Sequence, residues 1–127
     1  MPEGDTVWRT AQRLNQGFAG RPPTRCDLRW PELSTLDFTG HTTLEVLSRG
    51  KHILHRLDSG WTIHSHLRME GQWRIEPPGT RANAQTRALL ATHEWTALGQ
   101  RLGMLDVVRT DAEHTLVGHL GPDLLGP

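Results

Sequence analysis

His52-Ile53-Leu54-His55-Arg56-Leu57-Asp58-Ser59-Gly60-Trp61-Thr62-Ile63-His64-Ser65-His66 holds two short runs of strand-forming residues on either side of Asp58-Ser59-Gly60. Successive side chains of a strand point to opposite faces, and a Gly-containing turn between two such runs is a hairpin signal. The spacing predicts antiparallel strands over 52–57 and 61–66. Runs of the same kind recur at 26–30, 42–48, 72–75, 86–91 and 105–109, with Pro77-Pro78-Gly79 closing the one that ends at Ile75. Ahead of them all, Val7, Ala11 and Leu14 recur at helical spacing between Asp5 and Gln16, with Asp5 or Thr6 as N-cap and Gly17 just past the end. The expected fold is mostly β: an N-terminal helix followed by an antiparallel β-sandwich or flattened barrel, with residues 1–127 as a single domain.

Composition bounds the function. With 127 residues, 35% hydrophobic, 22% charged and a formal net charge of zero, the chain reads as one soluble globular domain. No run approaches the ~18 apolar residues of a membrane helix. Met1-Pro2-Glu3-Gly4-Asp5 has neither the basic flank nor the apolar stretch of a secretory signal, and the single Cys26 excludes an internal disulfide framework, so the expected location is the cytosol. Residues 1–75 carry ten positive against eight negative charges and residues 76–127 four against six, which allows a local basic face but only modest non-specific affinity for nucleic acid. Of the basic side chains 13 are Arg and one, Lys51, is Lys, the type whose amine suits covalent or proton-transfer chemistry. The apolar, Gly/Pro-punctuated tail Leu116–Pro127 packs either on this domain or on a further one.

Proline at position 2 becomes a secondary-amine nucleophile once Met1 is removed. An α-amino group of reference pKa about 7.7–8.0 keeps a useful neutral fraction near pH 7, and its attack on an aldehyde yields an iminium that acts as an electron sink. A helix starting near Asp5 adds a positive end that draws anions such as phosphate, and Glu3 offers a carboxyl that can protonate the ring oxygen of a sugar as it opens. Arg49-Gly50-Lys51-His52 stands at a strand start, where Lys51 admits three readings: phosphate contact, proton donor or solvated surface lysine. His55, His64 and His66 form the most metal-like set, but no acid or cysteine stands out as a fourth ligand, so they read as hydrogen-bonded structural histidines and no metal site is expected. Met69, between Arg68 and Glu70-Gly71, reads either as core or as an exposed wedge that inserts between stacked bases.

Taken together, Met1-Pro2-Glu3-Gly4-Asp5-Thr6-Val7-Trp8-Arg9, Ser48-Arg49-Gly50-Lys51-His52, His64-Ser65-His66-Leu67-Arg68-Met69-Glu70-Gly71-Gln72-Trp73 and His119-Leu120-Gly121-Pro122-Asp123-Leu124-Leu125 resemble, in the same order, the N-terminal domain of the Fpg/Nei family of bifunctional DNA glycosylases. The Pro-Glu-Gly start is similar to the endonuclease VIII (Nei) branch. The resemblance implies that Pro2 attacks C1′ of a damaged nucleoside, that Glu3 donates a proton to open the sugar, and that Lys51 is the proton donor in β-elimination at the abasic site. It implies a monomer acting on double-stranded DNA with an oxidised base, a pyrimidine by the branch, or an abasic site, in a bacterial cytosol. Arg49, Arg68, Met69, Arg101 and Leu102 become expected DNA contacts, with Met69 as the wedge behind a flipped nucleotide. This chain departs from the pattern at Asp5-Thr6, where many relatives carry a Glu close behind the Pro-Glu start. It departs again at Gln100-Arg101-Leu102-Gly103, where formamidopyrimidine-type members have an Arg-Arg-Phe-Gly wedge, so contact with the orphan base is expected to be weaker or different. The family continues into a helix-two-turn-helix domain and usually a zinc finger. One cysteine cannot form a four-cysteine finger, so the chain is expected to be an isolated catalytic half with no cofactor of its own. Two other classes compete: a non-catalytic DNA- or partner-binding β-sandwich, and a proline-based tautomerase, whose fold would begin with a strand at residue 2.

Overall fold

The computed structural model describes residues 3–67 and 70–113, which form one α-helix, eight strands and a short 3-10 helix. Helix α1 spans Glu3–Phe18. Val7, Ala11, Leu14 and Phe18 fall on one stripe and are all buried, so the helix lies with that stripe on the core while Trp8, on the other side, is half exposed. The helix starts earlier than its expected cap and runs through Gly17. The left-handed residue after it is Gly20 (φ +80°). Gly17 lies against Trp95, where a Cβ would meet the ring at 3.4 Å, an ordinary contact.

The strands are β1 (Arg25–Leu28), β2 (Thr43–Arg49), β3 (His52–Leu57), β4 (Trp61–His66), β5 (Gln72–Glu76), β6 (Thr86–Ala91), β7 (Thr96–Gln100) and β8 (Met104–Arg109), with the 3-10 helix η1 at Thr110–Ala112. They form two four-stranded antiparallel sheets, ordered β2-β3-β4-β8 and β1-β6-β7-β5. The expected helix-plus-sandwich is therefore the observed fold, and the hairpin over Asp58–Gly60 forms as read, with Gly60 at φ +89°. One strand escapes the sequence pattern. All of Thr96-Ala97-Leu98-Gly99-Gln100 is buried, so β7, central in its sheet, shows no alternation of polar and apolar residues. The helix begins at Glu3, which is not the strand-first start of a tautomerase.

Between the sheets Val46, Ile53, Ile63 and Leu105 meet Leu28, Ala88, Leu90, Ala97 and Trp73. Trp73 Nε1–H donates to Ser65 Oγ at 3.1 Å, tying one sheet to the other. On the opposite, outer face of the β2-β3-β4-β8 sheet, Glu113 takes a fork of hydrogen bonds from Arg56 at 2.7–3.2 Å and one from the Thr62 hydroxyl at 2.6 Å. Burial pushes the Glu113 carboxyl up, but the Arg56 fork and the Thr62 hydroxyl more than offset this and leave it below the ordinary range. Among the described residues no helix is long and apolar enough to cross a membrane.

The antiparallel weave gives the sandwich two unlike ends. At one lie the β2–β3 turn, the β4–β5 loop and the β7–β8 turn. The other holds the β3–β4 and β6–β7 connections, the start of the β5–β6 connection and the C-terminus of α1; the β5–β6 connection then crosses back, ending beside Arg101.

Candidate functional site

The direction of α1 decides what the first end contains. Asn15 Oδ1 accepts the Val46 backbone N–H at 2.8 Å, and a groove of about 280 Å³ farther along is bordered by Trp8 and Gln12 of the helix and Ser48 and Arg49 of β2. The helix therefore runs antiparallel to β2. The N-terminus of α1 thus points toward the end that holds the β2–β3 turn. Glu3 opens the helix at this end, where unpaired backbone N–H groups attract negative charge. Pro2 lies outside the described residues.

Arg49 and His52 pair across the β2–β3 hairpin, leaving Gly50 and Lys51 as a two-residue turn. Gly50 has φ +58°, a conformation that side chains disfavour, so the turn needs glycine at its first position. Lys51 is exposed at the tip and Arg49 half-buried beside it.

The other two connections are stitched together. Gly103 N–H donates to the His66 carbonyl at 3.0 Å, and Gly71 N–H closes onto the Leu67 carbonyl at 2.8 Å. A Cβ at Gly71 would stand against the Leu67 carbonyl and 2.9 Å from Leu67 Cα, so this loop end also requires glycine. Arg68 and Met69 lie outside the described residues, as do the His119–Leu125 block and the tail, and the expected exposure of Met69 falls there with them. In the β7–β8 turn Arg101 is held at φ +50° by its N–H bond to the Gln85 carbonyl (2.9 Å), and its exposed guanidinium lies 3.8 Å from Glu70. Leu102, expected beside it as a DNA contact, turns inward: it is 4% exposed and seats against Gly99, where a Cβ would come 2.7 Å from it. The residue this turn offers to solvent is Arg101.

The histidines sort differently from the sequence reading. His55 pairs with Ile63 on the core side, its ring edge-on to Phe18 and its Nε2 2.8 Å from the Thr43 hydroxyl. His64 and His66 face the other way and are joined by His52, which the sequence reading did not single out. Counting back from the hairpin turn would have found it, since His52 pairs with His66. Burial holds both His55 and His64 neutral, their pKa values lowered to about 4. Among the described residues no three His, Cys, Asp or Glu side chains come together as a metal site.

One end of the sandwich thus gathers a helix N-terminus, a lysine on a two-residue turn and an arginine on another. Such a set can bind a phosphate backbone and supply a nucleophile and proton donors to a sugar.

The sequence profile of the formamidopyrimidine-DNA glycosylase N-terminal domain matches residues 1–111. The chain is 53% identical over its full length to a probable endonuclease 8 2 of Streptomyces coelicolor, covering 48% of that protein. It is 47% identical, again over its full length, to the DNA-(apurinic or apyrimidinic site) lyase Nei2 of Mycolicibacterium smegmatis, covering 50% of it. The chain spans about half the length of the curated relatives it matches. Lactococcus lactis formamidopyrimidine-DNA glycosylase, solved non-covalently bound to DNA with an abasic site, superposes with a TM-score of 0.74 at 20% identity over 93% of this chain and 47% of that one, a likeness of fold.

Proposed function

This chain belongs to the formamidopyrimidine-DNA glycosylase N-terminal domain family, and from that premise we propose that it is the catalytic half of a DNA glycosylase and abasic-site lyase of the endonuclease VIII branch, acting on oxidised bases, pyrimidines in particular. The observation that carries the reading is the meeting, at one end of the sandwich, of the start of α1, the Lys51 turn, the Arg101 turn and the two flanks of the Met69 loop.

The chemistry follows from those positions. With Met1 removed, the Pro2 nitrogen bonds to C1′ as the C1′–base bond breaks and the base leaves with a proton. Glu3 gives a proton to the ring oxygen as its bond to C1′ opens, leaving an iminium. The iminium acidifies C2′. Loss of a C2′ proton then expels the 3′ phosphate, with Lys51 as the proton donor of that elimination. Arg49, Arg68 and Arg101 suit bidentate contact with backbone phosphates. Met69 fills the gap behind the extruded nucleotide. Leu102 serves from within, by packing beneath the Arg101 turn.

The test is borohydride trapping on DNA with a preformed abasic site, using protein whose loss of Met1 is verified by intact mass. A covalent adduct that Pro2→Gly abolishes is the expected result. Binding without an adduct would remove the nucleophile assignment. Glu3→Gln should lose base excision while retaining cleavage at preformed abasic sites, where the aldehyde is already open.

A further inference from the structure

We propose that Thr86 is a positioning residue: its hydroxyl fastens the end of the β5–β6 connection to Gln100 and so holds the neighbouring Arg101 in the left-handed conformation that presents its guanidinium to DNA. The proposal rests on the reading of Arg101 as a phosphate contact.

Arg101 has φ +50°, a conformation that residues other than glycine and asparagine seldom keep unless the surroundings impose it. Its backbone N–H donates to the Gln85 carbonyl at 2.9 Å, so whatever fixes Gln85 fixes Arg101. Gln85 belongs to a tight turn over 83–86. Its own N–H donates to Asn83 Oδ1 at 2.9 Å, and Thr86 N–H reaches the Asn83 carbonyl at 3.1 Å.

Thr86 Oγ1 joins this turn to the strand that leads into Arg101. It accepts the Asn83 N–H at 3.0 Å and donates to Gln100 Oε1 at 2.7 Å. Thr86 and Gln100 are partners in the β6–β7 register, and both are buried, 1% and 6% exposed. Were the Gln100 amide turned over, its N–H would donate to the same hydroxyl oxygen, so the bridge does not depend on which amide atom faces it.

The backbone makes the bridge necessary. The register between β6 and β7 slips between Thr86 and Ala88, so this last pair is cut off from the regular ladder by a bulge. Gln100 is secured from its other side, where it pairs with Gln72 of β5. The hydroxyl therefore ties the turn to a fixed point. A hydroxyl present only to satisfy buried groups would matter to folding and not to Arg101. Valine at 86 keeps the shape of the side chain and removes the bridge, whereas serine keeps the hydroxyl and gives up a methyl.

The experiment compares wild type, Thr86→Val, Thr86→Ser, Arg101→Gln and the Thr86→Val/Arg101→Gln double variant by backbone ¹⁵N relaxation and by affinity for a duplex with a reduced, uncleavable abasic site. Wild type and Thr86→Ser should keep order parameters of about 0.85 at Gln85 and Arg101, and Thr86→Val should fall toward about 0.6 at these two while the rest of β7 stays rigid. Affinity should drop about threefold to tenfold in Thr86→Val, the worth of one hydrogen bond, and recover in Thr86→Ser. Adding Thr86→Val to Arg101→Gln should cost nothing more, because the group being positioned is already gone. Losses that add in the double variant, unchanged relaxation in Thr86→Val, or serine no better than valine overturn the proposal. Should Thr86→Val fail to fold, amide exchange of the wild type decides: Arg101 and Asn83 amides that open together support it, and an Arg101 amide that opens apart from Asn83 overturns it. Arg101→Gln that leaves affinity intact removes the Arg101 contact without touching the relaxation result, so the two readings fail separately.

Discussion

Mild acid should cost this fold several kcal/mol through two imidazoles. His55, between the Phe18 ring and the Thr43 hydroxyl, and His64, 2.6 Å from His52 Nδ1 through its Nε2, are both held to about pKa 4 by burial, whereas an unfolded chain protonates histidine near 6.5. Between those values the unfolded state takes up protons that the folded state refuses. Stability is therefore complete above pH 6.5, falls as the pH drops through the window, and stops falling from this cause near pH 4. Each unit of pH inside the window is worth about 1.4 kcal/mol per imidazole, so at pH 5 each has lost about 2 kcal/mol and the pair about 4. Against the usual 5–15 kcal/mol that is a large fraction. Glu113 adds its own loss only at lower pH, since its carboxyl is held below the ordinary range. Urea denaturation at pH 7 and pH 5 measures the difference, and a His55→Gln/His64→Gln double variant, which keeps an amide at each place, should flatten it to below about 1 kcal/mol. A wild-type difference of that small size, or imidazole resonances of His55 and His64 titrating near pH 6.5, would refute the reasoning.

Further outcomes follow from the packing of named side chains. Gly71→Ala should lower the melting temperature, by an amount equivalent to about 1–3 kcal/mol, because the new methyl meets the Leu67 backbone, which cannot swing aside. Leu102→Ala should destabilise by about 2–5 kcal/mol, as expected of a core leucine, where a surface wedge would cost almost nothing. Arg101→Gly should be neutral or mildly stabilising in thermal unfolding, since it relieves a left-handed backbone conformation, while weakening DNA binding in a salt titration. Glu113→Gln should cost about 2 kcal/mol in chemical denaturation by withdrawing the charged acceptor from the Arg56 fork.

The legible parts of the fold are those marked in the sequence by a turn signal or a helical period. The 52–66 hairpin could be read because its turn carries Gly60 at positive φ between two well-formed runs, and α1 because its buried stripe repeats with helical period. β7 could not: it is buried throughout, much as β3 and β4 are, but lacks the Gly-marked hairpin turn that sets them apart. The helix end was misplaced because Gly17 looks like a terminator, whereas the left-handed residue that follows the helix is Gly20. The candidate site was visible as motifs around Pro2, Lys51 and Met69, but nothing local says that the Lys51 and Arg101 turns share an end. That is a property of strand order. Leu102 shows the converse limit: beside an exposed arginine, only the packing onto Gly99 reveals which of two neighbours faces inward.

The unlike ends of the sandwich have a practical corollary for anyone who needs to hold, label or extend this molecule. The turn at 77–80 that follows β5, with Gly79 at φ +86° and open space where its Cβ would be, lies at the end away from Lys51 and Arg101, as does the Asp58–Gly60 turn. Chain inserted at such a tip lengthens a loop that is already solvated, and each doubling of loop length adds only about 0.6 kcal/mol of closure entropy. A peptide tag or fluorophore grafted at Pro78–Gly79 would thus hang from the back of the domain, leaving the end that carries Lys51 and Arg101 clear.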